Sequence, residues 1–456
     1  MARVTIGKKH CTVNPLKMSP SIGAALAFLG VDNSMPLLHG SQGCTSFGLV
    51  LFVRHFREAI PMQTTAMSEV ATVLGGLDNV EQALVNIASR TKPSLIGICT
   101  TGISEIKGDD LKGFLKLIRV NHPELDPIAL VDVSTPDFEG AFQDGWASAV
   151  TRMIEELVEI PLREGTHSRR VNVLPGCHIT AGDIEELRDI FESFSLDPVF
   201  LPDLSGSLDG HVPEEFTPTT LGGISVTQIQ RMGSACWTVA IGEQMRGAAI
   251  TLEHRTNVPY KLFDRLTGLA ANDALMEFLS EIGGVPVPKK YRRQRSQLID
   301  AMLDGHFYFG GKRVAIAAEP DLLSATSHWL HEMGCEIQVA VTTTSSPVLE
   351  KIPVEEVLLG DLEDLETRAM GADLIVTHSH GRQAAERLRI PLFHIGIPVF
   401  DRLGASQQLS VGYRGTRDMI FSVGNTFMNS AHEPTPETWM PPHQVPQDLV
   451  TLDLPQ

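Results

Sequence analysis

Residues 35–58 read MPLLHGSQGCTSFGLVLFVRHFRE. An apolar run stops at a glycine-punctuated loop, His39-Gly40-Ser41-Gln42-Gly43, which presents Cys44. A second apolar run, Phe47 to Val53, follows and closes with Arg54-His55-Phe56-Arg57-Glu58. Glycines on both sides permit dihedrals that other residues avoid and let a bulky group come close to the backbone. A thiolate entering a helix after such a turn lies near backbone N–H groups that favour negative charge. That environment suits a metal or cluster ligand, and it equally suits a buried structural cysteine, the commoner fate of this residue.

Outward from this stretch the alternation of strand-like and helix-like segments repeats. Ser19 or Ser21 is placed to cap an apolar helix over Ile22–Leu29. Downstream, Val80–Ala88 reads as an amphipathic helix, 94–101 as a buried strand, Asp109–Arg119 as a helix and 128–133 as a strand. This is the pattern of a parallel α/β sheet. A glycine-containing charged stretch, 162–170, marks a boundary, and the pattern restarts with strands over 171–174, 198–201, 236–241 and 259–263. A third unit opens at Lys312 and has strands over 312–320, 336–341, 357–359, 372–377 and 391–395. The expected architecture is three tandem Rossmann-like parallel-sheet domains: 1–165, 166–305, and 306–456 with an extended C-terminal tail from Pro434. Residues up to about Val13 read as a polar arm.

Composition narrows the function. The 456 residues are 43% hydrophobic and 20% charged, as expected of a globular protein. The net charge of −18 argues against a nucleic-acid partner. The basic run Tyr291-Arg292-Arg293-Gln294-Arg295 reads as a solvated helix face. No apolar segment is long enough for a membrane span, and the N-terminus lacks the apolar core of a signal peptide, so a cytoplasmic protein is expected. Cysteines at 11, 44, 99, 177, 236 and 335 include no C-x-x-C pair. Such wide spacing suits neither a disulfide framework nor a self-contained zinc site. A metal site would use few cysteines or borrow ligands from another chain.

Several familiar chemistries fail on one residue. Residues 97–104, GICTTGIS, mimic a phosphate loop after a strand, but Ile103 stands where the phosphate-binding lysine belongs. Gly40-Ser41-Gln42-Gly43 lacks the first glycine of a nucleophile elbow, because His39 is there. His378 and His380 could bind metal through alternate imidazoles, yet no acidic or cysteine partner is near in sequence. Cys99 reads as inert packing, and Cys177, Cys236 and Cys335 as structural. Cys11, in the arm, stays ambiguous.

The motifs HGSQGC, RHFRE, QTTAMSE, GGLDNV, PSLIGICTT and KGDDL, in this order over roughly the first 110 residues, resemble the nitrogenase family of paired α/β subunits. The three-unit layout extends the resemblance over the whole chain. In the family's catalytic β subunit three cysteines hold half of an eight-iron cluster at the subunit interface. The resemblance matches Cys44 to the middle one. It places Met18 (segment NPLKMSPSIG) and Gly102 (segment TTGISE) at the other two. With two thiolates missing, the sequence looks less like a catalytic subunit than like the β subunit of the family's cofactor-assembly scaffold. MSP…GAALAFLG, SGSLDGH and GDLEDLE add to that likeness.

What the resemblance implies is an α2β2 heterotetramer with a scaffold α subunit. Cys44 would be the one ligand from this chain to a shared interfacial 4Fe-4S cluster. An iron–sulfur precursor held mainly by the partner would mature there into the iron-molybdenum cofactor, with the reductase iron protein and cluster-delivery proteins visiting. Such a chain is a scaffold and redox subunit rather than an independent enzyme. The alternatives are a catalytic dinitrogenase or protochlorophyllide reductase-like β subunit, and a vanadium-system scaffold homologue.

Overall fold

A computed structural model describes residues 1–430 except 8, 10, 69–74, 161–168 and 213. The expected boundary at 162–170 falls largely, and the tail from Pro434 wholly, outside the described residues.

Among the described residues the chain forms three sheets, and every strand pairing is parallel. The first runs in the order Gln63–Thr64, Ser34–His39, Leu95–Thr100, Ala129–Val133. The second runs Asp197–Phe200, Arg170–Pro175, Trp237–Ile241, Tyr260–Phe263. The third is Arg3–Ile6, Glu356–Leu359, Glu336–Thr342, Arg313–Ala317, Leu374–Thr377, Leu392–His394. Strand order reverses once in each sheet, between 34–39 and 95–100, between 170–175 and 237–241, and between 313–317 and 374–377. Loops leaving the carboxyl ends at such reversal points line a crevice, the usual ligand position in open α/β sheets.

The N-terminal residues read as a polar arm are instead a strand. Arg3 to Ile6 pair in register with Glu356 to Leu359 and close the edge of the third sheet. Lys9 then holds Asp361, Glu363 and Asp364 at 2.7, 2.8 and 3.0 Å. A four-residue strand with partly exposed faces leaves little hydrophobic period to read.

The sheets share one continuous hydrophobic core. Helices Pro20–Leu29 and Phe142–Leu157 cross in near contact at reciprocal glycines. A Cβ on Gly23 would lie 1.9 Å from the Phe142 carbonyl oxygen, and one on Gly145 only 1.8 Å from that of Pro20. Ser19 caps the first helix, as its position suggested. Where the units meet, Glu319 accepts from Thr343 Oγ1 at 2.9 Å and from the Gln143 N–H at 3.4 Å. Asp321, fully buried, accepts from the Gln244 N–H at 3.0 Å. Two carboxylates of the third unit thus tie it to the other two.

Candidate functional site

Helix Gln42–Phe56 leaves the carboxyl end of strand Ser34–His39, beside the reversal point of the first sheet. Its N-terminus is fixed by His39, which is fully buried. The ring bonds Thr65 Oγ1 at 3.0 Å and Asp109 at 3.3 Å. The carbonyl accepts from Thr101 Oγ1 at 3.0 Å and Ser104 Oγ at 3.1 Å. Burial lowers the His39 pKa against the pull of Asp109.

The two glycines before Cys44 serve different ends, and neither has a positive φ. A Cβ on Gly40 would lie 2.4 Å from Thr101 Oγ1, so this glycine lets one loop pack on the other. A Cβ on Gly43 would meet nothing closer than Ser41 Oγ at 3.8 Å, so its face is open to an incoming group. The sequence suggests close approach by way of unusual dihedrals; Gly40 and Gly43 keep ordinary ones, and the absent Cβ alone provides the space.

Cys44 lies half-buried in the first turn of the helix, its Sγ 3.5 Å from Ser41 Oγ. Ser41, the N-cap residue, makes no side-chain bond to the first-turn N–H groups. A thiolate there has a hydroxyl donor and the positive end of a four-turn helix beside it. The outer face of the same helix is apolar, with Phe47 and Val50 exposed at 67% and 55%, and Val53 further along. Contiguous exposed apolar groups on a polar surface mark a docking face.

Asp137 joins the loops carrying Met18 and Gly102, and the second of these meets the Cys44 loop through Thr101 and Ser104 on the His39 carbonyl. Asp137 Oδ1 accepts a short hydrogen bond from Ser19 Oγ, next to Met18, and its Oδ2 accepts from the Gly102 N–H at 3.3 Å. A Cβ on Gly102 would lie 3.3 Å from that carboxylate, which therefore occupies the side of the residue where a side chain would project. Asp137, Ser19 and Thr101 were not singled out in sequence as site residues, since a bonded polar residue in a loop carries no local signal.

The remaining cysteines are elsewhere. Cys99 is buried in its strand, and burial pushes its thiol far up. Cys177 and Cys335 are also buried, with thiols raised. Cys11 is exposed. His378 and His380 stack edge to face at 5.1 Å, and the buried His378 is held near 4 by burial. Among the described residues no three His, Cys, Asp or Glu side chains are grouped to hold a metal ion. Cys44 can therefore supply one ligand to a cluster and not a whole set.

The three parallel sheets, with a half-buried cysteine beside the reversal point of the first, thus frame the site. Residues 19–428 match the profile described as Nitrogenase component 1 type Oxidoreductase, and the chain belongs to that family. A structure titled "Nitrogenase Cp1 at pH 6.5" superposes with a TM-score of 0.89 at 30% identity, covering 96% of this chain and 98% of that one. Within the family, the chain is 60% identical to the "Nitrogenase iron-molybdenum cofactor biosynthesis protein NifN" of Bradyrhizobium diazoefficiens, over 98% of this chain and 97% of that protein. It is 39% identical to the protein of the same name from Klebsiella pneumoniae, over 95% and 94%. No described helix is long and apolar enough to cross a membrane.

Proposed function

We propose that this chain is the β-type subunit of a scaffold on which an iron–sulfur precursor is matured into the nitrogenase iron-molybdenum cofactor. In this reading it pairs with a NifE-type α subunit as an α2β2 complex in the cytoplasm. Cys44 gives one thiolate to a 4Fe-4S cluster at each α/β interface, and the partner supplies the rest. When bound, the cluster would contribute one-electron chemistry. Ser41 and the first-turn N–H groups would hold the Cys44 thiolate, and Phe47, Val50 and Val53 would be covered by the partner.

The observation that carries the proposal is Cys44 itself. It is a half-buried thiol beside open space, at a helix N-terminus with an exposed apolar flank, and no second cysteine joins it. A cubane normally takes four thiolates, so a site with one must be shared. Similarity to NifN proteins over nearly the whole chain supports a scaffold over a catalytic role. So does Asp137, which crowds the Gly102 position where the catalytic relatives are expected to place a thiolate. The domain division 1–165, 166–305 and 306–456 belongs to the same reading.

The test is iron and acid-labile sulfide per αβ pair in the co-purified complex, with the cluster's EPR signal, before and after Cys44→Ala. Loss of iron and signal from a complex that still assembles is expected. Unchanged iron and an unchanged signal would remove Cys44 from the ligand set. An eight-iron centre in the wild-type complex would overturn the scaffold assignment.

A further inference from the structure

The reversal points of the second and third sheets face each other across a partly open cavity. Its walls come from Cys177–Ala181 after strand Arg170–Pro175, from helix Pro320–Glu332, and from segments 395–399 and 405–411. The last turn of the Cys44 helix completes it with His55 and Phe56. Over about 70 Å³ the centre of a water-sized sphere fits, room for about five waters, each with about 30 Å³ of liquid volume.

The chemistry of the lining is one-sided. Among the described residues no Lys, Arg, Asp or Glu lines the cavity, and its body is apolar, with Leu204, Leu266, Ala325, Trp329 and Val411 among its walls. Its polar side chains are two imidazoles, His55 and His178, and the uncharged Thr180, Thr267, Thr326, Ser406, Gln408 and Ser410. His55 Nδ1 accepts from the Val399 N–H at 3.0 Å, which puts the ring proton on Nε2. No described protein group accepts that proton. His178 makes no hydrogen bond to a described residue, and its Nδ1 is buried without a partner. Its Cε1 is packed against Gly176 and Gly242, where added Cβ atoms would lie 2.9 and 3.0 Å away. Burial holds both rings near 4, so both are neutral at physiological pH. Buried polar atoms are seldom left unpaired without reason.

We propose that this cavity is a binding site for a small, uncharged organic molecule that has an apolar body and at least one hydrogen-bond acceptor. The acceptor meets His55 Nε2–H, His178 contacts the same polar end, and the body lies against Leu266, Ala325 and Trp329. An anion or cation finds no counter-charge there and loses its hydration on entry. Entry is past Ala405–Gln408, where a neighbouring surface pocket shares Val399, Ala405 and Gln408 with the cavity. The site is separate from Cys44 and stands whether or not that residue binds a cluster.

Phenol is the probe and benzoate its charged counterpart, titrated into the full chain by calorimetry and by saturation-transfer NMR. Phenol is expected to bind and benzoate not. Ala325→Leu, which fills the cavity, should abolish phenol binding. Ser406→Trp, at the partly exposed mouth, should slow or abolish it without touching the core. His178→Phe should keep benzene binding and weaken phenol relative to benzene by about tenfold, the value of one hydrogen bond. Failure of wild-type protein to bind millimolar phenol, equal binding of benzoate, or phenol binding unaffected by both Ala325→Leu and Ser406→Trp each overturns the proposal.

Discussion

Replacing Glu319 by glutamine should flatten the pH dependence of stability on the alkaline side. Burial pushes this carboxyl from 4.5 up to about 8, helped by the nearby charges of Asp144 and Asp321 and opposed by the Thr343 hydroxyl. The part of its surface that is not covered opens on a small cavity shared with Leu16 and His378. A folded-state pKa above the unfolded one means that the folded protein holds the proton more tightly. The stabilisation is fully present below pH 4.5 and is lost as pH rises through about 8.

At about 1.4 kcal/mol per pKa unit the whole shift corresponds to about 5 kcal/mol, of which about 2 kcal/mol is lost between pH 6 and 8. Asp321, held at about 6 by burial, titrates mostly below that window and does not mask it. The glutamine of Glu319→Gln retains an oxygen to accept from Thr343 and Gln143, so the mutant should fold. If the whole chain unfolds as one unit, about 1 °C of midpoint corresponds to 1 kcal/mol. The variant should therefore gain about 2 °C on wild type between pH 6 and 8 in parallel thermal melts, with hydrogen exchange of 313–317 and 339–343 following the same trend. Parallel wild-type and variant curves across that window would refute the assignment of the proton to Glu319.

The helix crossing gives a sharper loss: Gly145→Ala should cost about 3 kcal/mol or more, because its methyl has no room beside the Pro20 carbonyl, as urea midpoints will show. Brief alkylation of the native chain followed by mass spectrometry should label Cys11 and Cys44 and spare Cys99, Cys177 and Cys335, whose thiols are buried and raised. The double variant Met18→Cys with Gly102→Cys should still carry a four-iron interface site by metal analysis, since Asp137 crowds one of the new thiols; eight irons per αβ pair would contradict this. Lys9→Gln should speed amide exchange of residues 3–6 severalfold, more at low salt than at high, because three carboxylates then lose their shared cation.

Apart from Arg3–Ile6, the strands of the second and third sheets were legible because they are short apolar runs bounded by glycine, proline or charge. Strand Ser34–His39 was harder, since Pro36 argues against a central strand. The structure tolerates it because the neighbouring strand Gln63–Thr64 pairs only with Leu37 and Leu38, leaving Pro36 unbridged on that side. Helix Phe142–Leu157 was missed although its buried Phe142, Gly145, Trp146, Ala149, Val150, Met153 and Ile154 keep one helical stripe; its packing against both Pro20–Leu29 and Arg246–Thr256 emerges only in the fold. In Gly412–Ser430, glycines 415 and 424 depress the helical signal, although each is there for close packing, against Ser410 and Phe309. The Cys44 loop could be read locally because its glycines and thiol are contiguous. The central cavity could not, because His55, His178 and Trp329 come from three distant segments and acquire their meaning only when the sheets face one another.

The strand Arg3–Ile6 bears on how the molecule is made. Its partner, Glu356–Leu359, is synthesised about 350 residues later, so the third sheet gains its outer edge from chain that emerged long before. Closing so long a loop is slow rather than costly, because the entropy grows only with the logarithm of its length. Until it closes, the backbone groups of 356–359 are an open edge that can recruit the same strand from another molecule. A bulky fusion placed directly on the amino terminus would prolong that interval. Aggregation during expression, rather than loss of a finished protein's stability, is where the cost would appear.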